Sequence, residues 1–215
     1  MTRGILSSLR TTALLASIAA AALASSACGT HYITNLPLQW RGVDNVPQPS
    51  AAVAAAFSRG AIGLKPLQDK RPEINAVGRY DNESQPFTVR TTDNVATFYG
   101  TRMQEMLVHA GARFDSGPVA WIEIELIELT VVEGGLFDGT AKIRVSVGPQ
   151  AGVHAWTKDF DGRSKRWGRT HNPENFNESL ANAFTEAMGK LLQDADFAQA
   201  LGGTVPMKSM PVPPG

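Results

Sequence analysis

The sequence has one cysteine, Cys28, in 215 residues. No disulfide can form within the chain, so its fold must rest on packing. Charge of one sign is also missing: 20 basic residues face 20 acidic ones. That balance excludes a general nucleic-acid binder, whose domain would be strongly basic. After the first two dozen residues there is no apolar run of the roughly 20 residues needed to cross a bilayer core. Common catalytic patterns are absent as well. The chain has no Gly-x-Ser-x-Gly elbow, no His-Glu-x-x-His zinc pattern and no glycine-rich loop ending in Lys-Ser/Thr. Its four histidines, His31, His109, His154 and His171, are scattered. The sequence therefore calls for no catalytic residue, no metal and no cofactor.

What is present starts at the N-terminus. Arg3 and Arg10 form a positive n-region, Ala13 to Ala24 form an apolar h-region of signal-peptide length, and small residues lead to Cys28. Leu23-Ala24-Ser25-Ser26-Ala27-Cys28 resembles the lipobox of bacterial lipoproteins. That resemblance implies cleavage between Ala27 and Cys28, diacylation of the thiol and acylation of the new amino group. An ordinary secretory signal cut elsewhere is the rival reading. A lipid thioether also explains a lone cysteine in an exported chain, and two or three acyl chains anchor far more firmly than one. By the same resemblance Gly29, following the cysteine, implies delivery to the outer membrane with the domain facing the periplasm.

The expected organisation is a signal peptide over 1–27, a lipid-anchored tether over 28–58, one α/β domain over 59–201 and a proline-rich disordered tail over 202–215. The tether stretch carries Trp40, which either packs on the domain or rests at the membrane interface. Ala51 to Phe57 is too short for periodicity to decide between strand and helix. Ile62 to Leu67 reads as a strand ending at Pro66. In Asp69-Lys70-Arg71-Pro72 the aspartate can hold the arginine by charge-assisted hydrogen bonds and pin the exit loop, while Pro72 stops the strand. A ligand-gripping arginine is the alternative. Arg79 to Arg90 reads as a polar loop.

The first clear helix has Thr92 or Asp93 as its cap. Its apolar stripe runs through Val95, Tyr99, Met103, Met106, Leu107 and Ala110, and Gly111 closes it. Val119 to Val131 is the strongest strand, and its double apolar step at Leu126-Ile127 predicts a bulge or a change of face. The strand after it alternates Ala141, Ile143, Val145 and Val147 with Lys142, Arg144 and Ser146. Antiparallel pairing would set these bases against Glu123, Glu125 and Glu128, so the carboxylates need no metal. A third meander strand spans Val153 to Phe160. Arg163-Ser164-Lys165-Arg166-Trp167-Gly168-Arg169 concentrates four cations around a tryptophan and suits phosphate, anionic glycan or lipid headgroups. A solvated loop is the plain alternative. The last helix follows Pro173, with Asn175 or Asn177 as its cap and a broad stripe from Phe176 to Leu192.

These elements predict an α/β (α+β) fold: a mixed sheet of about four strands in the order β-α-β-β-β-α, with two helices packed on it. The first strand and the long strand would pair in parallel. Asp69-x-Arg71-Pro72 with Gly78, the acidic alternating strand, Lys158-x-Phe160-x-Gly162 and a final helix running to Asp196-Phe197 and Leu201 resemble the YajG-like uncharacterised lipoproteins. That resemblance spans roughly residues 60–201. It implies an envelope lipoprotein with a periplasmic α/β domain and no established catalytic residues. The favoured function is a non-enzymatic binding or assembly module. Its partners would be the membrane through Cys28 and an envelope protein, or an anionic glycan or lipid. The alternatives are a hydrolase of envelope polymers and an accessory of lipid or lipopolysaccharide transport, which would need a large apolar cavity between sheet and helices.

Overall fold

The computed structural model describes residues 32–42, 46–81 and 86–203. The expected signal peptide, Cys28, His31 and the tail from Thr204 onward lie outside these residues. The compact unit begins at Ile33. Helix α1 (Ala51–Ser58) opens on Ser50, whose hydroxyl accepts the Val53 amide at 3.3 Å, so the ambiguous alanine-rich stretch is helical. Three short strands follow, β1 (Ile62–Leu64), β2 (Gln68–Asp69) and β3 (Ala76–Tyr80), and then β4 (Phe87–Arg90). Helix α2 (Val95–His109) is capped by Asn94, whose side chain accepts the Thr97 amide. Asp93, one of the expected caps, instead accepts the Leu38 amide at 2.7 Å. The meander consists of β5 (Ala120–Glu133), β6 (Phe137–Gly148) and β7 (Trp156–Arg166). Helix α3 (Pro173–Gln193) starts with Pro173 in its first turn after an Asn172 cap, and α4 (Ala195–Leu201) starts at the Asp194 cap.

All seven strands join one mixed sheet. One edge of β5 pairs with β6 along its whole length, while its other edge receives β1, β2 and β3 in succession, each parallel to it. The parallel pairing expected of the first strand with the long strand is thus present. The count of about four strands and two helices is corrected to seven and four among the described residues. Pro66 and Pro72 have no amide to donate and cut one long lane into pieces too short to show a period. β4 lies in the stretch expected to be loop, where it pairs antiparallel with β3. The lane order is β4, then the β1–β2–β3 composite, β5, β6 and β7.

The helices cover one face. Ile122, Ile124, Leu126, Leu129 and Val131 of β5 meet α3 residues Leu180, Phe184 and Leu191, all at 2% exposure or less. Edge-to-face ring pairs fill the space between the layers, with Tyr99 and Phe184 centroids 4.9 Å apart and Phe137 and Phe176 5.4 Å apart. The expected bulge sits between Leu126 and Glu128, where the β5–β6 register shifts. Two glycines let α3 sit close to the sheet. A Cβ on Gly78 would come within 2.7 Å of the Phe176 ring, and one on Gly162 would fall on the Ala183 carbonyl oxygen.

The stretch expected to be tether packs on this body from Ile33 onward. Leu36 is fully buried, and its amide donates to the Arg90 carbonyl at 2.7 Å along the outer edge of β4. Asn177, expected as a helix cap, instead holds this strap: its side chain accepts the Gln39 amide at 2.9 Å and donates to the Pro37 carbonyl at 3.0 Å. Val53 and Phe57 of α1 are likewise fully buried, the latter edge-on to Phe197 of α4. Trp40 packs edge-on to Tyr99 at 6.1 Å, with the Arg102 guanidinium 5.8 Å from its ring centre.

Candidate functional site

Among the described residues no helix lies over the opposite sheet face. Its side chains form a charged ladder whose rungs follow from register: Glu125 opposite Arg144 and then Asp159, and Glu128 opposite Lys142 and then Asp161. Arg144 donates to both carboxylate oxygens of Asp159 at 2.8 and 3.2 Å, and Lys142 pairs with the same carboxylate at 3.1 Å. These bonds, chiefly the one from Arg144, hold Asp159 below its ordinary range. Among the described residues no three His, Cys, Asp or Glu side chains converge as metal ligands.

Three of the residues singled out by sequence, Asp69, Arg71 and Pro72, meet at one place in the fold. Arg71 is 6% exposed and spends all five of its N–H donors. Nε donates to Asp69 at 2.9 Å and Nη2 to the other Asp69 oxygen at 2.7 Å. The remaining donors reach the carbonyls of Ile74, Ala76 and Leu129. The guanidinium therefore ties the β2–β3 connection to β5 at the point where Pro72 ends the pairing, and no donor is left for a ligand. Gly78 lies further along the same lane, beneath Phe176. Lys158 and Gly162 also hold elements together, the former by pairing with Asp194 and Asp196 at 2.6 and 3.1 Å where α3 passes into α4.

The basic stretch is strand rather than loop as far as Arg166, because β7 forms the outer lane of the sheet. Charged side chains on such a strand guard its unpaired edge against joining another sheet. Helix α3 adds to the guard: Glu186 accepts the Arg163 amide at 2.9 Å and Lys190 donates to the Asp161 carbonyl at 2.8 Å. Lys165 pairs with Asp138 at 3.6 Å and Arg166 with Glu178. Trp167 is 80% exposed, and Arg169 is exposed with no ion pair among the described residues. The structure thus separates Lys165 and Arg166, whose side chains are ion-paired, from Arg163 and Arg169, whose guanidinium groups have no ion pair among the described residues, and from the exposed Trp167.

Two acidic sites were not legible as sites. The Glu123 side chain is 12% exposed: Lys65 lies 2.8 Å and His154 3.1 Å from its oxygens, and the Gly152 amide donates to it. Burial opposes its ionisation, but the Lys65, Gly152 and His154 hydrogen bonds together outweigh burial and pull its pKa down to about 2. Glu133 is 3% exposed and accepts the His171 amide at 2.9 Å. Burial raises its pKa, against the His171 bond. His171 has left-handed backbone (φ 56) and its ring lies tilted against Tyr80, the centroids 4.9 Å apart. Both sites join residues distant in sequence, and the one local signal was a glutamate on a buried strand position.

Two clefts formed by the described residues open beside α2. One of about 200 Å³ lies between Trp40, Pro47 and the outer side of α2. A more open groove of about 500 Å³ runs between the β1–β2 connection and α2.

An open mixed sheet backed by helices on one face places the described residues in the class of small two-layer α+β domains. The chain belongs to a family of uncharacterised lipoproteins, whose model matches residues 64–202. No curated protein matches the sequence. Among solved structures, protein XCC0632 from Xanthomonas campestris is similar in fold at 8% identity, with a TM-score of 0.50 over 79% of this chain and 95% of that one. The lipoprotein GNA1162 from Neisseria meningitidis is similar at 11% identity and a TM-score of 0.32, over 49% of this chain and 83% of that one.

Proposed function

We propose that the protein is a non-enzymatic binding or assembly module of the bacterial envelope, anchored by lipid on Cys28 to the periplasmic side of the outer membrane and offering its helix-free sheet face to an envelope protein. The observation that carries this reading is the open face itself. A two-layer domain can leave one side of an antiparallel meander solvated, and here that side presents fixed, ordered charges rather than a cavity. Such a face selects a partner by complementary charge. The lipoprotein family supports the anchor, and Gly29 after Cys28 supports the outer membrane.

The test is crosslinked capture from native membranes with three forms of the full chain: unchanged, Cys28→Ser and Glu128→Arg. Glu128 is exposed on the open face, so its reversal changes the face with little effect on packing. One stoichiometric envelope protein, captured by the unchanged chain and lost with either variant, is expected. Capture that survives Glu128→Arg removes the sheet face from the reading. Unchanged membrane partitioning and acyl labelling of Cys28→Ser removes the anchor.

A further inference from the structure

We propose that the end of the sheet bearing Trp167 and Arg169 lies against the membrane, with the indole in the bilayer interface and the guanidinium on anionic lipid headgroups. This inference rests on lipidation at Cys28. It follows from the length of chain available. Cys28 precedes the first packed residue, Ile33, by five positions, and five residues reach at most about 18 Å even when fully extended. The domain therefore cannot stand far from the bilayer, and the end at which Ile33 enters must face it.

A short chain of contacts shows which end that is. The Ile33 amide donates to the Tyr80 hydroxyl at 3.1 Å. Tyr80 is the last residue of β3 and pairs with Glu133, the last of β5. The Glu133 carboxylate accepts the amide of His171, which closes the 167–172 connection between β7 and α3. Within that connection, the Asn175 side chain also holds the Arg169 carbonyl at 2.9 Å. Trp167 and Arg169 thus sit on a braced segment at the entry end.

The chemistry of that segment fits a bilayer interface. Among the described residues Trp167 is the most exposed large apolar side chain, at 80% against 55% for the next, and an amphipathic indole is a side chain that favours the membrane–water interface. The acids nearby are already occupied: Asp81 by Arg79, Asp138 by Lys165 and Glu178 by Arg166. That leaves Arg169 as the unpaired charge among the described residues of this end. Lys165 and Arg166 are held in ion pairs, so the contact is a two-residue one that supplements the lipid.

The full chain, lipidated in a bacterial host, is reconstituted into vesicles of phosphatidylethanolamine with a minority of phosphatidylglycerol, with and without brominated acyl chains. Emission of Trp167 is read as the difference between the unchanged chain and Trp167→Phe. Bromine should quench this difference about twofold or more, as expected of an indole at interfacial depth, while the emission left in Trp167→Phe changes little. Arg169→Ser should weaken the quenching in these vesicles and not in pure phosphatidylcholine. Protein that floats with the vesicles while its Trp167 emission ignores bromine would overturn the contact and leave the anchor standing. Protein that does not float, and takes no acyl label, would overturn the anchor and this inference with it. Equal loss with Arg169→Ser in both lipids would remove the guanidinium from the contact.

Discussion

Arg71 shows how one side chain can account for a sequence motif without a ligand. A guanidinium offers five donors in a fixed fork, and each is used on Asp69 or on the Ile74, Ala76 and Leu129 carbonyls. Removing it leaves Asp69, whose side chain is 12% exposed, without its counter-ion, and leaves three carbonyls unbonded. Arg71→Met should therefore cost about 3–5 kcal/mol in urea unfolding. Arg71→Lys should recover less than half of that, since an ammonium cannot span the same acceptors. A lysine that restored full stability would mean that charge alone matters at this position. Glu123 makes a second prediction at this scale. Its folded pKa of about 2 lies below its ordinary value of 4.5, so the unfolded chain takes up the proton first as pH falls. Its stabilising effect is complete above the ordinary carboxylate range and is lost as pH drops through about 4.5 toward about 2. Unfolding measured between neutral pH and pH 3 should show a shallower acid loss in Glu123→Gln than in the unchanged chain, and parallel curves would exclude Glu123 as a contributor.

At the scale of elements, α3 and the sheet approach so closely that small residues are required on both sides. Gly162 lies under Ala183 and Ala187, two positions one turn apart on the helix. A methyl at Gly162 would meet backbone atoms, which cannot rotate away, so Gly162→Ala should destabilise by about 1–3 kcal/mol or more. Gly135→Ala is the control, because a Cβ there meets nothing within 4 Å. Equal thermal midpoints for the two variants would show that the helix can lift off the sheet at no cost. The same elements explain what could be read from sequence. The meander and the two long helices were legible because each repeats its period many times. That bases of β6 would lie across from acids of β5 followed from alternation, and holds for Glu125 with Arg144 and Glu128 with Lys142 but not for Glu123, which lies opposite Ser146. The β1–β2–β3 lane was not, since its pieces are two to five residues long and take their order from β5. The helix caps were missed by one to five positions because Asp93 and Asn177, good caps by type, are used to hold the N-terminal strap. Of the candidate surface, Trp167 and Arg169 were visible as residue types, but the acids that neutralise Lys165 and Arg166 come from β6 and α3, which only the fold brings near.

For the whole molecule the question is where the folded body begins. Composition places a tether up to residue 58, since prolines, glycines and an alanine run give no period. The packing places Leu36, Val53 and Phe57 at 0% exposure, with the strap from Ile33 closing the β4 edge and α1 lying against α4. Burying three such side chains contributes roughly 1.5–3 kcal/mol each, a sum comparable with the 5–15 kcal/mol that holds a typical domain together. Loss of the strap would also uncover the β4 edge and leave Asn177 and Asp93 without their partners. A chain beginning at residue 59 should therefore fail to give a cooperative urea transition, whereas one beginning at Ile33 should unfold like the mature protein. If the shorter chain melts cooperatively with the same midpoint, residues 33–58 are a tether after all. In that case the domain can stand much further from the bilayer than five residues allow, and Trp167 loses its reason to touch it.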